Sequence, residues 1–208
     1  MTLLKVEDFR SLLERDQEFQ TDLGVVSSDL FLDWINRINY AYWRKAQQVD
    51  PERIMSEQSV TVSGSNLSET IATLHSLNVS GAGIYEKNDD GYLTGNSLPR
   101  RGRDSQLNGY YVSGTTIEFV PKTWTQSTDY LVRFIAKIAK LAADDEDTLI
   151  DDQYEDFALN AIKRVYQIWD RDAYMNITDA QFLNAMDELW EDLRPDEDPP
   201  FISDNANY

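Results

Sequence analysis

The sequence predicts an α+β fold. Its N- and C-terminal helices pack together, and an antiparallel β-rich unit is inserted between them in the sequence. Three observations lead to this fold class. Apolar residues recur at helical spacing near both ends, β-branched and aromatic residues form short runs in the middle, and hairpin signals separate those runs. We divide the 208 residues into N-terminal helices (1–56), the inserted β-rich unit (57–141), C-terminal helices (142–194) and an extended tail (195–208).

Two helices are predicted before residue 56. The first covers residues 6–19, where apolar side chains fall on one face. The second, near residues 28–48, has a broader apolar face, with Ser27 or Ser28 as its N-cap and Pro51 marking its end. The apolar positions of this second face are Leu30, Phe31, Trp34, Ile35, Ile38, Tyr42 and Trp43.

The middle of the chain contains the clearest strand signals. Two β-rich runs, residues 110–112 and 116–120, flank Ser113-Gly114-Thr115, and Pro121 ends the second run, which predicts a hairpin. Residues 84–87 and 92–94, joined by "NDDG", predict another hairpin. Alternating residues around Val60 and a run beginning at Tyr130 add two more strands.

Helical spacing returns after residue 150. One face carries Phe157, Ala161, Ile162, Val165, Ile168 and Trp169. Asp151 or Asp152 is placed as the cap, since carboxylates at a helix start suit the positive end of its dipole. A further helix begins at Thr178, and the segment "RPDEDPPFISDNANY" after it is a tail without its own packed core.

The formal net charge of −18 is concentrated in the last third of the chain. Residues 144–208 contain 19 acidic residues and four basic ones. This argues against a sequence-reading DNA binder, which would present a basic footprint. The only basic cluster is "PRRGR", residues 99–103, which we interpret as a solvated loop. The chain also lacks cysteine, which excludes disulfides and thiolate catalysis and suits a reducing cytoplasm.

No candidate membrane segment or signal peptide is visible, because no apolar run approaches about 20 residues and charges interrupt the N-terminal pattern. The search for catalytic residues is equally negative. His75 is the only histidine and has no nucleophile elbow nearby, and no phosphate-binding glycine motif occurs. We therefore expect neither an enzyme nor a cofactor, although abundant acid pairs leave a carboxylate-dependent hydrolase open as an alternative.

Two smaller features bear on binding. Residues 170–181, "DRDAYMNITDAQ", open like a calcium-binding EF-hand loop, but Tyr174, Met175 and Gln181 replace a ligand, the turn glycine and the bidentate glutamate. We expect an ordinary helix–loop–helix there and no metal site. Core packing is the default interpretation of the five tryptophans, among which Trp124 and Trp190 are the better candidates for an interface.

The chain resembles the head-to-tail adaptor (connector) proteins of tailed bacteriophages over residues 27–172. The resemblance rests on the order and spacing of four motifs. These are the early helix "DLFLDWINRINYAYWRKA" leading into "QSVTVSG", the strand pair "GTTIEFVP", the strand "VRFI" and the helix opening "IDDQY". The family-like positions are Gly114, Ile117, Phe119 and Pro121; Val132, Arg133, Phe134 and Ile135; and Ile150, Asp152 and Tyr154.

The resemblance implies a structural virion protein that forms a ring, commonly twelvefold, beneath the portal protein and receives tail or neck proteins. Such a protein is made in the host cytoplasm, lies in the neck of the virion and lets double-stranded DNA pass without sequence-specific binding. We expect acidic residues to line its channel, because cationic walls would bind phosphates. The candidates are Asp144, Asp145, Glu146, Asp147, Asp151 and Asp152.

The tail offers anchors for the portal or a neighbouring subunit. Phe201, Ile202 and Tyr208 follow two prolines that lower the cost of ordering the segment, and Trp190 lies shortly before it. A different class of function also stays open: the strong acidity fits a DNA mimic that occupies a nucleic-acid-binding protein.

Overall fold

The computed structural model describes residues 2–15, 26–88, 90–121, 124, 127–171 and 186. Its helices and antiparallel sheets confirm the α+β class. The chain divides into a helical unit, Met1–Tyr42 with Lys140–Tyr208, and a β unit, Trp43–Ala139. The β unit therefore starts within a helix, at Trp43, whereas the sequence places its start at residue 57.

In chain order, the described elements are β1 (Leu3–Lys5), α1 (Val6–Arg15), α2 (Ser28–Val49), a 3-10 turn (Pro51–Ile54), β2 (Met55–Val62), β3 (Ser68–Thr70), β4 (Leu74–Ser76), β5 (Gly83–Lys87), β6 (Leu93–Ser97), β7 (Gly109–Ser113), β8 (Thr116–Val120), β9 (Thr128–Ala136), β10 (Asp147–Asp151), a second 3-10 turn (Asp152–Tyr154) and α3 (Glu155–Arg171).

The helical unit has an apolar core formed by α1, the first part of α2, and α3. The apolar face predicted from Phe157 to Trp169 is buried along α3. Trp34 of α2 makes edge-on ring contacts with Tyr166 and Trp169 at centroid distances of 6.4 and 5.5 Å. The first predicted helix is present as Val6–Arg15, while its residues 16–19 lie outside the described residues.

A two-stranded pairing of β1 with β10 was not predicted. Leu3 lies opposite Asp151 and Lys5 opposite Asp147, so part of the acidic segment forms a strand, residues 147–151. Thr148 and Ile150 are buried. The local sequence pattern does not reveal the pairing, because β1 has only three residues and its partner lies more than 140 residues away in sequence.

The β unit contains two sheets. One has the strand order β2-β9-β5-β6, with β4 also pairing with β9, and the other has the order β3-β8-β7. Both predicted hairpins are confirmed, β7 with β8 and β5 with β6. The turn between β7 and β8 requires Gly114, whose φ of +65° lies in the left-handed region that other residues rarely adopt.

The core of the β unit is aromatic at its centre. Phe119 stacks on Tyr130 at 6.1 Å, and Trp124 packs edge-on against both rings at 6.4 Å. Trp124 is only 8% exposed. The interpretation of Trp124 as an interface residue is therefore wrong, because its ring completes this cluster.

Candidate interaction surfaces

The acidic turn, residues 144–147, is an exposed run of four carboxylates that ends at the first residue of β10. Its backbone accepts hydrogen bonds from the start of α1: Glu7 N donates to Asp144 O at 2.9 Å, and Val6 N donates to Glu146 O at 3.2 Å. The side chain of Glu146 in turn accepts from Ala142 N at 2.6 Å. The turn thus satisfies N–H groups that a helix start leaves unpaired, and its own shape is fixed.

Two asparagines on α2 hold the segments on either side of the acidic turn. Asn36 donates to Leu141 O at 3.0 Å and accepts from Leu141 N at 2.7 Å. Asn39, only 2% exposed, accepts from Leu149 N at 2.8 Å. Sequence reasoning missed both residues. The sequence did contain a signal for them. Asn36 and Asn39 lie three positions apart beside the apolar face of the helix, and a buried amide side chain needs hydrogen-bond partners.

The strand after the turn is fastened by a third polar side chain. Thr148 donates its hydroxyl hydrogen to Leu4 O at 2.8 Å, within a buried environment. Asp152 N also donates to Thr2 O at 2.9 Å. The acidic turn is therefore held by α1, α2 and β1 together, which is an ordered support for a solvent-facing charge cluster.

The proposed channel-lining acids separate into two groups. Asp144, Asp145, Glu146, Asp147 and Asp152 are exposed. Asp151 is only 3% exposed, and its Oδ1 accepts from Gln153 N at 3.2 Å, capping the 3-10 turn before α3. Asp151 therefore faces the interior of the unit and does not contribute to an exposed acidic wall.

The neighbouring carboxyls of Asp151 and Asp152 interact directly. A hydrogen bond with Asp151, with smaller contributions from desolvation and from the charge of Asp151, raises the pKa of Asp152 above its ordinary 3.8. Adjacent residues on a turn do not provide the cleft with two separated carboxylates that glycoside hydrolysis uses. The pair is explained by its place at the junction of β10 and α3.

A pocket of about 240 Å³ lies in the helical unit between β1, α1 and the start of α3. Its polar lining includes Asp8, Arg15, Asp152 and Glu155. Asp8 accepts from Lys5 N at 2.7 Å, and Arg15 pairs with Glu155 at 3.2 Å on an exposed rim. These groups satisfy local partners, so the pocket contains structural polar contacts rather than a recognisable catalytic set.

The residues considered for chemistry do not converge. Within the described ranges, no three His, Asp or Glu side chains group as metal ligands would. His75 is exposed, and its ring packs edge-on against Trp43 at 4.7 Å. Apart from the end of α3, the EF-hand-like residues 170–181 lie outside the described residues, as do Trp190, Phe201, Ile202 and Tyr208.

The family-like positions have clear structural roles. Ile117 and Phe119 are buried on β8, and Pro121 directly follows that strand. Arg133 on β9 pairs across the sheet with Glu57 on β2 at 2.9 Å, at directly opposed register positions. Gly114 forms the turn described above, and Tyr154 ends the 3-10 turn before α3.

The basic loop, residues 99–107 between β6 and β7, exposes Arg100, Arg101 and Arg103. Arg101 N donates to Tyr110 O at 2.7 Å, and Tyr110 N donates to Pro99 O at 3.1 Å. Arg100 also donates to Asn78 Oδ1 at 2.6 Å. The loop is thus tied to β7, and its arginines stand on an ordered backbone.

Comparisons add no family to these observations: neither the protein-family models nor the curated proteins contain a match to this chain. Within the described part of the chain, the helices are too short or too polar to traverse a lipid bilayer.

Proposed function

We propose that this protein is a head-to-tail adaptor of a tailed bacteriophage, a structural ring component joining the portal to tail or neck proteins. The observation that carries the proposal is the acidic turn, which is exposed yet held through its backbone by α1 and flanked by segments that Asn36 and Asn39 hold. Mutual repulsion among four adjacent carboxylates opposes folding, so the hydrogen bonds that hold this turn are the observation that supports a use for its charge.

The physical role of such a charge cluster follows from the chemistry of DNA. A duplex carries about one negative charge per 1.7 Å of its axis, so cationic walls would bind it and slow its passage. Asp144, Asp145, Glu146, Asp147 and Asp152 would instead keep the duplex away from the wall. In this proposal the five exposed acids face the channel, whereas the buried Asp151 caps the 3-10 turn before α3.

Attachment requires surfaces rather than reacting groups. The tail residues Phe201, Ile202 and Tyr208, together with Trp190, would supply apolar anchors toward the portal or the next subunit. The ring, commonly twelvefold in this family, would lie in the neck of the virion. The arrangement needs no cofactor, and the polar groups around the pocket in the helical unit serve local contacts.

The assembly test is co-expression of the full chain with the portal and major capsid proteins of the same phage, followed by light scattering and electron microscopy. We expect a ring bound to the portal. A stable one-to-one complex with a basic nucleic-acid-binding protein, and none with the portal, would instead identify a DNA mimic. Turnover of a glycoside that is lost on changing paired acids would identify a hydrolase.

The channel test uses charge neutralisation. The variant D144N/D145N/E146Q/D147N should assemble normally but retain DNA on the ring at low salt and slow genome release. The control is E52Q/D90N, which removes exposed acids of the β unit. Equal DNA retention by both variants would contradict a channel position for the acidic turn.

A further inference from the structure

The basic loop has the opposite charge to the chain that contains it. Residues 99–107 carry three arginines and one acid, Asp104, whereas the whole protein carries a net charge of −18. The same loop exposes Leu107, whose side chain is 63% accessible. A surface that combines an apolar side chain with guanidinium groups suits a ligand with carboxylates and a bulky apolar residue.

The loop is tied to β7 by contacts within its own chain. A β-carbon on Gly109 would lie 2.2 Å from the Arg101 side chain and 2.6 Å from Pro99 O, so the loop packs tightly against the start of β7. The Arg100 side chain also donates to Asn78 Oδ1 at 2.6 Å. Because the backbone and part of the arginine side chains are already fixed, binding costs less conformational entropy.

A segment of this same chain has the complementary chemistry. Residues 196–198 read Asp-Glu-Asp, and Pro199-Pro200 then lead to Phe201 and Ile202. Three carboxylates followed by an aromatic anchor match three arginines followed, along the loop, by an exposed leucine. The segment lies in the last 22 residues of the chain, after the final described residue, Met186. Nucleic acid fits less well, since the acidic protein repels phosphates at longer range.

We propose that the basic loop of one copy receives residues 196–202 of an adjacent copy, with Phe201 packing against Leu107 and the acids pairing with Arg100, Arg101 and Arg103. The contact is heterologous, because it joins two different patches of identical chains, and such contacts generate rings when the rotation closes. This inference rests on the proposed function, because it requires that copies of the chain assemble with one another. To that function it adds the basic loop as the receiving surface and residues 196–202 as the segment that binds there.

The first test uses crosslinking, for which the cysteine-free chain is well suited. Full-length L107C and F201C variants are mixed, assembled on portal and treated with a short bis-maleimide. We expect a crosslinked dimer that Y92C with F201C does not give, although Tyr92 is 73% exposed. Equal crosslinking at residues 92 and 107 would overturn the proposal, as would a closed intramolecular product from the L107C/F201C double variant.

The second test exchanges charges between copies. R100E/R101E/R103E alone and D196K/E197K/D198K alone should each lose about tenfold or more in association, because like charges then face each other. Mixing the two variants should restore assembly, since every loop again meets a tail of opposite sign in the neighbouring copy. Failure of the mixture to assemble, while a chain carrying both changes behaves normally, would indicate contact within one chain and contradict the proposal.

The outcomes separate the two proposals. Rings that form normally on portal with all the charge variants would leave the adaptor function standing and overturn the loop–tail contact. A lack of rings with the unmodified chain and portal would overturn both. If R100E/R101E/R103E instead abolishes salt-sensitive binding of a duplex DNA probe without changing assembly, the loop is a nucleic-acid contact and the tail assignment is wrong.

Discussion

The helical unit and the β unit are stabilised by different kinds of contact. In the helical unit, side chains of Asn36, Asn39 and Thr148 bond backbone groups more than 100 residues away in sequence. In the β unit, neighbouring strands share backbone ladders over an aromatic centre. Both units have apolar cores, but the helical unit adds a few side-chain hydrogen bonds to remote backbone groups, whereas the β unit is joined by its strand ladders.

The largest effect should come from emptying the aromatic centre of the β unit. Phe119→Ala removes a fully buried ring and should lower the free energy of unfolding by about 3–5 kcal/mol. Hydrogen exchange should show protection lost mainly in β7, β8 and β9. Tyr92→Ala, at an exposed ring of the same unit, is the control and should have little effect. If both variants lose the same free energy of unfolding, burial of the ring does not determine the stability of the β unit.

The corresponding break in the helical unit is Asn39→Ala. It leaves the Leu149 N–H without its acceptor in a part-buried site, and should lower the free energy of unfolding by about 1–3 kcal/mol. Urea unfolding and exchange at residues 141–151 measure this. Gln48→Ala, at an exposed position of the same helix, controls for helix propensity. Loss of exchange protection in the β unit, with residues 141–151 still protected, would contradict a stabilising role of Asn39 in the helical unit.

A smaller effect is expected at the hairpin turn of the β unit. Gly114→Ala should cost about 1–2 kcal/mol, because the left-handed conformation brings a β-carbon too close to the following carbonyl. Gly114→Asn should cost less, since asparagine tolerates that conformation better. Gly102→Ala is the matched control, with open space around its β-carbon position. If Gly114→Asn unfolds at a lower temperature than Gly114→Ala, the left-handed backbone conformation does not explain the loss of stability.

The smallest effect should appear as a pH dependence in the helical unit. The raised pKa of Asp152 means that the folded chain holds this proton more tightly than the unfolded chain, whose pKa is near 3.8. Stability contributed by the proton is therefore present at low pH and lost as the pH rises through the raised pKa. Asp152→Asn should unfold at a higher temperature than the original at pH 7, and the difference should vanish toward pH 4.

Asp156→Asn provides the control for that experiment, since it removes a nearby exposed carboxylate on the first turn of α3. It should not reproduce the stabilisation at pH 7, because an acid near a helix N-terminus interacts favourably with the dipole. A gain in stability from both changes would point to general charge repulsion rather than the contact between Asp151 and Asp152.

The sequence predicted the elements whose signals are local. Both hairpins and the apolar faces of α2 and α3 follow from spacing within a few residues. The pairing of β1 with β10 could not be predicted in this way, because three residues carry almost no periodicity and the partner is remote. The prediction for Trp124 was wrong for a related reason: its neighbours Phe119 and Tyr130 meet it only in the folded sheets.

The candidate surfaces were predicted in composition but not in arrangement. The acids of residues 144–152 are evident from the letters alone, whereas the burial of Asp151 depends on where β10 pairs. The basic loop was interpreted as merely solvated, because nothing in "PRRGR" reveals that Tyr110 and Gly109 fix its backbone. Charge is readable from sequence, but the stiffness of the segment that bears the charge is not.

The pairing of β1 with β10 has a consequence for the order of events on the ribosome. A nascent chain holds all the strands of the β unit once Ala136 has emerged, but the first strand must wait for residues 147–151. Since domains generally fold as units during synthesis, the β unit can mature while the start of the chain still lacks its partner. Synonymous codons that slow translation near residue 140 would lengthen that wait and expose Leu4 and Val6 to chaperones.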